Sequence, residues 1–207
     1  MFFGAYGAFI ALSGSWGQAY AVVVLGVNET VASTLLIATV VGITAGGILS
    51  TRISDRLRQR RKPMIALAVT GLFAWVLFVG IVDAGTPRGA LYVIFFVLGF
   101  CSGVSMNTPA CAKEVNHPSH AGVATSVANV GGFVGAALIP LIMATILDSM
   151  TQLFAMETAY RIVFMVCIGA YAIAVAGSLM ITETGARNIY ESLRVKPERR
   201  VEPDTGA

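Results

Sequence analysis

Charge is what this sequence lacks. Only 12% of its 207 residues are Asp, Glu, Lys or Arg, while 56% are apolar. A soluble domain is about a quarter charged, so this chain has too few charged side chains to cover a water-facing surface. That excludes an ordinary soluble domain and leaves a surface facing lipid. The scarcity is also uneven: long runs hold no Asp, Glu, Lys, Arg or His at all. An ionised group at a helix centre costs about 2.5–3.5 kcal/mol on insertion scales, and its presence there signals function. This chain therefore carries no proton-relay carboxylate and no anion-clamping Arg in mid-membrane. Cysteine is scarce too. Cys101, Cys111 and Cys167 are far apart, odd in number and embedded in apolar stretches, so they read as small core residues and not as disulfides or metal ligands. No basic stripe interleaved with aromatics points to nucleic acid.

Two look-alikes carry no chemistry. Gly99-Phe100-Cys101-Ser102-Gly103 resembles a nucleophile elbow with Cys at its centre. That motif needs a strand-to-helix turn and a catalytic His, and here it sits inside an apolar run. His117 and His120 flank Pro118 and Ser119 without further ligands nearby, so they read as solvated. No catalytic set, metal site or cofactor is called for, and an enzyme is not expected.

What is present is length. A membrane-spanning helix needs about 20 mainly apolar residues, and six runs meet that length: Phe2 to about Val27, Val31 to about Thr51, Met64 to Val82, Gly89 to about Ala112, Gly122 to Leu147 and Ile162 to Thr182. Gly, Asn, Pro or charged residues punctuate the junctions. Hydrophobicity all round each run predicts helices in lipid, and the short alternating segments of an outer-membrane barrel do not appear. Ala19-Tyr20-Ala21 mimics a leader cleavage site, but no Lys or Arg precedes the run and it continues through Val22 to Leu25, so it reads as a retained span. Residues 1–182 are thus expected to form one six-helix transmembrane bundle, and 183–207 a polar tail, with Pro197 and Pro203, that is mobile or lies along the membrane surface.

Lys and Arg set the orientation. Arg52, Arg56, Arg58, Arg60, Arg61, Lys62, Lys113, Arg187, Arg194, Lys196, Arg199 and Arg200 fall on one side, and only Arg88 and Arg161 on the other. Both termini are therefore expected in the cytoplasm, and an even number of spans agrees in placing them on one side.

The runs carry polar stripes. Tyr6, Ser13, Trp16 and Tyr20 are spaced seven, three and four apart, which places them on one face of a regular helix. That face either lines a cavity or packs on a neighbour. Ser102, Ser105, Asn107 and Thr108 precede Pro109, while Ser126 and Asn129 precede Pro140. Amides in lipid need partners, so Asn107 and Asn129 either join helices or contact a solute; the prolines are placed to bend their helices. Gly42 with Gly46, Gly99 with Gly103 and Gly131 with Gly135 have the four-residue spacing that allows close helix approach.

The most specific stretch runs from Gly46 to Pro63: glycines, then Asp55-Arg56-Leu57-Arg58, then Arg60-Arg61-Lys62. It closely resembles the loop motif of the major facilitator superfamily, in which Gly, Asp-Arg, Gly and a basic cluster join helices 2 and 3, with a weaker copy between helices 8 and 9. Asp55, Arg56, Arg60 and Arg61 match, and Arg58 stands where the motif has Gly, a departure typical of the weaker copy. Gly122 through Asn129, Gly132 and Pro140 to Asp148 is similar to helix 11 of that family. Gly14-Ser15-Trp16-Gly17 is similar to helix 7 of its organic-anion and nitrate-type branch.

The resemblance implies the carboxyl-terminal half, helices 7–12, of a twelve-helix secondary transporter in the plasma (inner) membrane. Met1 stands almost directly before an apolar run, without the family's long basic loop before helix 7, which implies one piece of a split transporter or a truncated product. Such a half is expected to move a small solute by alternating access only with a missing amino-terminal half or a second copy of itself. A non-transporting scaffold or accessory bundle, or a remnant, is the alternative. Ser13, Trp16, Tyr20, Asn107 and Asn129 are the expected solute contacts. Asp55, Arg56 and Arg60 are the expected conformational gate.

Overall fold

The computed structural model describes residues 1–194. It is helical throughout: α1 (Phe2–Ile10), a π-helical segment (Ala11–Trp16), α2 (Gly17–Val23), α3 (Glu29–Leu57), α4 (Arg61–Ile81), α5 (Arg88–Ser102), a 3₁₀ segment (Gly103–Asn107), α6 (Thr108–Val115), a 3₁₀ turn (Pro118–His120), α7 (Ala121–Thr151), α8 (Met156–Leu179) and the short α9 (Tyr190–Arg194). Five helical stretches are long and apolar enough to cross a membrane: Glu29–Leu57, Arg61–Ile81, Arg88–Val115, Pro118–Thr151 and Met156–Leu179. The first expected run is also one rod from Phe2 to Val23, but its π-helical middle divides it into pieces that are each short.

Local chemistry explains where the helices start and stop. Asn28 opens α3 by accepting from the Val31 N–H at 2.9 Å, which satisfies an orphan donor of the first turn. The rod before it ends short of the expected Val27, and Gly26 turns the chain with φ 65°. α3 runs past the expected Thr51 to Leu57 and stops at Arg58, whose φ of 48° is left-handed. An L side chain there costs about 1–2 kcal/mol relative to a right-handed conformation. Pro63 lies in the first turn of α4, where a missing N–H is harmless.

Backbone-to-backbone packing organises the bundle. A Cβ on Gly42 or Gly46 would strike the backbone of Phe96 or Phe100, and one on Gly99 or Gly103 would strike that of Thr39 or of Gly46 and Gly47. The two four-residue glycine pairs therefore close one reciprocal seam between α3 and the fourth span. The elbow-like Gly99 and Gly103 are part of it. On α7 the expected pair is corrected: Gly135 meets the Phe3 backbone and Gly132 the Phe2 ring, while nothing lies near Gly131. Phe2 beside Gly132 and Phe3 beside Gly135 also make α1 and α7 run in the same direction.

An aromatic core fills the end opposite the basic loop. Trp75, Phe78, Phe164 and Tyr20 are almost wholly buried, with Tyr20 5.0 Å from Phe164 and 5.2 Å from Phe78 between centroids. The three cysteines are buried as expected of core residues, Cys111 beside Met64 at 3.6 Å between sulfurs. At that same end, Arg161 pairs with Glu157 at 3.1 Å and donates to the carbonyl of Val79 at 3.3 Å.

Candidate functional site

The basic loop folds into a connected polar cluster. Only Arg58, Gln59 and Arg60 separate α3 from α4, so Arg60 stands at the start of α4 with Asp55 one turn back on α3. The Arg60 guanidinium lies 2.7 Å from Asp55 and 2.6 Å from Glu114, and its Nε donates to Glu114 at 3.0 Å. Its Nη1 also donates to Ser54 Oγ at 3.2 Å. Arg60 and Glu114 are largely buried, with side chains 7% and 12% exposed, whereas Asp55 is 53% exposed. The bonds to Glu114, then its charge and that of Asp55, hold the Arg60 pKa above the ordinary arginine value against the burial that opposes them. Arg56 is exposed and has no ion-pair partner among the described residues.

The polar tail closes this cluster. Glu183 accepts from the backbone N–H of Arg60 at 2.8 Å and of Arg61 at 3.0 Å, and so caps α4 from the far end of the chain. A carboxylate at a helix N-terminus also meets the positive end of its dipole. Burial pushes the Glu183 pKa up, but the N–H groups of Arg60, Gly185, Arg61 and Thr184 outweigh it and hold the carboxyl below its ordinary value. Thr184 donates to Glu114, Ile189 N–H donates to the Glu114 carbonyl at 2.8 Å, and Asn188 donates to the Lys113 and Asn116 carbonyls at the end of α6. Residues 183–190 are thus a strap across the bundle end, so this part of the polar tail, expected to be mobile or to lie along the membrane surface, is held by hydrogen bonds. Its cause is chemical: α4 begins and α6 ends with unsatisfied backbone groups that these side chains meet. Lys196, Arg199 and Arg200, with Pro197 and Pro203, lie outside the described residues.

The five expected solute contacts do not converge. Asn107 is fully buried and satisfied, accepting from Thr51 Oγ1 at 2.8 Å and donating to Ser50 Oγ at 3.0 Å. It joins α3 to the fourth span. Tyr20 is 1% exposed, ringed by Phe78, Tyr160 and Phe164, with its hydroxyl donating weakly to the Val82 carbonyl at 3.4 Å. Ser13 and Trp16 are half-buried. Ser13 bonds back to the Phe9 carbonyl at 2.8 Å, and Trp16 Nε1 donates to the Pro140 carbonyl at 3.1 Å. Asn129 is half-buried with no hydrogen bond among the described residues, and it lies beyond the level of Phe2. At 1.5 Å per residue it is at least about 16 Å along the rod from Ser13.

The π-helical segment explains why Tyr20 leaves the expected face. A π turn adds one residue to a helical turn, and at about 100° per residue everything beyond it is rotated away from an α-helical projection. Tyr20 turns inward, while Gly14, Ser15 and Gln18 are left exposed midway along the rod. Ser15 and Gln18 are polar groups that the sequence pattern did not single out. On the exposed side of α3, a cavity of about 510 Å³ is walled by Ile43, Thr44, Ile48 and Met106, with Thr51 and Arg52 at one end.

No curated protein matches the chain. A family profile for the Major Facilitator Superfamily matches residues 1–201. Nearly the whole chain is covered, including every span, the Asp55–Arg60 loop and the strap, so this multi-pass membrane protein with a transporter-type fold belongs to the major facilitator superfamily.

Proposed function

We propose that the chain supplies six spans, the rod Phe2–Val23 among them, that act as one of the two bundles of a secondary transporter in the plasma (inner) membrane. The basic loop and both termini face the cytoplasm. A small solute crosses by alternating access between this bundle and a second one, either an amino-terminal half or another copy of this chain. The observation that carries this reading is the open polar face at mid-rod. Ser15 and Gln18 are exposed beside Ser13, and Trp16 is tied to α7 through Pro140. Polar groups facing hydrocarbon without partners are unfavourable, so this face needs water, a solute or a second bundle against it. Ser13, Ser15, Trp16 and Gln18 form the solute wall in this reading, and Asn129 stands at its cytoplasmic mouth. Tyr20 and Asn107 position helices. Asp55, Arg60 and Glu114, joined by ion pairs, form the gate in this reading, with Arg56 free to reach the other bundle.

The test combines association with transport. In mild detergent the 21.7 kDa chain should be recovered with a second bundle, and Gln18→Cys should react with a water-soluble thiol reagent. In liposomes, the chain as a single unit should accumulate no labelled organic acid, sugar or nitrate under a proton or sodium gradient. Gradient-driven accumulation by a single chain overturns the two-bundle reading. A Gln18→Cys that never meets water overturns the solute wall.

A further inference from the structure

Two residues that are not glycine have positive φ among the described residues, Arg58 at 48° and Ala186 at 56°. Both line the same cavity of about 570 Å³ at the basic end, together with Asp55, Gly185 and Arg187. Backbone strain of this kind persists where surrounding structure holds it, and it gathers at ligand clamps. Gly at position 58 would relieve the strain, yet this chain places a guanidinium there. Arg58 and Arg187 are both exposed, and neither has a carboxylate within ion-pair distance among the described residues. The one acid in the wall among the described residues, Asp55, is engaged by Arg60 at 2.7 Å. The cavity therefore presents two uncommitted guanidinium groups to whatever enters it.

Its position selects among anions. The charge-free part of α3 ends at Thr51, and at 1.5 Å per residue Arg58 stands about 10 Å further on, at the level of the headgroup layer that flanks the hydrocarbon. Ile53 and Leu57, 41% and 59% exposed, carry apolar surface up to that rim. Planar guanidinium forks match phosphate oxygens in pairs, and basic pockets at this level take anionic headgroups.

We propose that Arg58 and Arg187 form a phosphate-binding site at the membrane edge, of a kind that takes the phosphate of an anionic lipid headgroup or of a small soluble phosphate compound. The site is independent of the transport reading, because it needs only the membrane and this chain.

The experiment uses the full chain in detergent with zwitterionic phosphatidylcholine, and measures melting temperature and lipid retention by native mass spectrometry. One arm adds phosphatidylglycerol and the other adds inorganic phosphate. The wild type should melt higher with phosphatidylglycerol and retain it at least tenfold more tightly than Arg58→Gly/Arg187→Gln. Arg58→Gly alone should melt no lower than wild type in phosphatidylcholine, since it removes strain, yet lose most of the phosphatidylglycerol gain; this separates ligand loss from misfolding. Inorganic phosphate that displaces or replaces the lipid effect identifies a soluble phosphate as occupant, and an effect confined to phosphatidylglycerol identifies the lipid. Equal phosphatidylglycerol and phosphate responses in wild type and double variant overturn the site.

Discussion

Arg60 and Glu114 meet across 54 residues of sequence, with guanidinium Nη2 and Nε both donating to the same carboxylate oxygen at 2.6 and 3.0 Å. This contact joins the start of α4 to the end of α6, and through Asp55 it also reaches α3. Both groups are largely withdrawn from water, so removing one leaves the other an uncompensated buried charge. Losses of about 3–5 kcal/mol follow from breaking such pairs. Arg60→Ala and Glu114→Gln are expected to lower stability by about 3 kcal/mol, read as thermal denaturation in detergent. Arg60→Lys, which keeps the charge but not the fork, should fall between them and wild type.

Asp55 is more exposed than its partners, so its substitution should affect the gate more than the fold. Asp55→Asn is expected to change stability by less than 1 kcal/mol, as pairs with an exposed member do. In an assembled transporter it should lower uptake normalised to inserted protein. Normalised uptake equal to wild type would reduce this residue to a local helix-end contact.

The glycine seam predicts an asymmetry between residues that look alike in sequence. Gly46→Ala puts a methyl group into the Phe100 backbone, which cannot rotate away as a side chain can. Overpacking of this kind costs about 1–3 kcal/mol or more, and yield in the membrane should fall. Gly131→Ala meets nothing nearby and should be neutral or slightly stabilising, since Ala is the better helix former. Equal effects at the two positions would show that the α3 seam is not closed as described.

Much of this fold was legible because lipid imposes a strong composition rule. Charge-free runs gave the five long apolar helices, and the glycine spacing on α3 and the fourth span gave a real seam. Two things were not legible, for different reasons. The π turn around Ser13 and Trp16 leaves no mark in composition, yet it rotates the rest of the rod and sends Tyr20 to the core. The partners of Arg60 are also invisible in the loop itself. Glu114 sits beside Lys113 like any loop acid, and Glu183 reads as the first residue of a polar tail. Only the three-dimensional closeness of the α4 start and the α6 end gives them roles. Asn107 was legible as a buried amide needing partners, but its partners on α3, Ser50 and Thr51, were not.

Trp16 and Tyr20 separate two roles that the sequence pattern merged. Trp16→Phe removes the N–H that meets the Pro140 carbonyl and should cost about 1 kcal/mol, the net value of such a bond. In an assembled transporter it should also change solute affinity. Tyr20→Phe removes only a long, weak bond to Val82 and keeps the ring in its aromatic surround. It should leave stability and uptake nearly unchanged. Loss of uptake in Tyr20→Phe would return this hydroxyl to the solute path.

The strap should respond to acid. The folded Glu183 pKa lies below the ordinary value of 4.5. Its contribution is therefore fully present above about pH 4.5 and fades as pH falls through the lower folded value. The Ile189 N–H, bonded to the Glu114 carbonyl, should thus lose protection from hydrogen exchange below that range and keep it above. In a Glu183→Gln background it should exchange readily at every pH. Protection kept at low pH would mean that the other strap bonds suffice.

Orientation is tested with single cysteines at Ser119, in the 3₁₀ turn before α7, and at Ser149, near the far end of α7, in a background lacking the native three. An impermeant reagent applied to intact cells should label position 149 and spare 119, because Lys and Arg gather on the side of Ser119. The opposite pattern would invert the protein in its membrane.

The seam between α3 and the fourth span is closed by main chain against main chain at Gly42, Gly46, Gly99 and Gly103, and Asn107 pins its basic end to Ser50 and Thr51. Such a joint has almost no side chains that can repack by small steps, so it resists shear as a glued laminate does. The two helices form a single beam with a stiff cross-section. A displacement of the Asp55 end of α3 would therefore carry the fourth span with it instead of sliding past it.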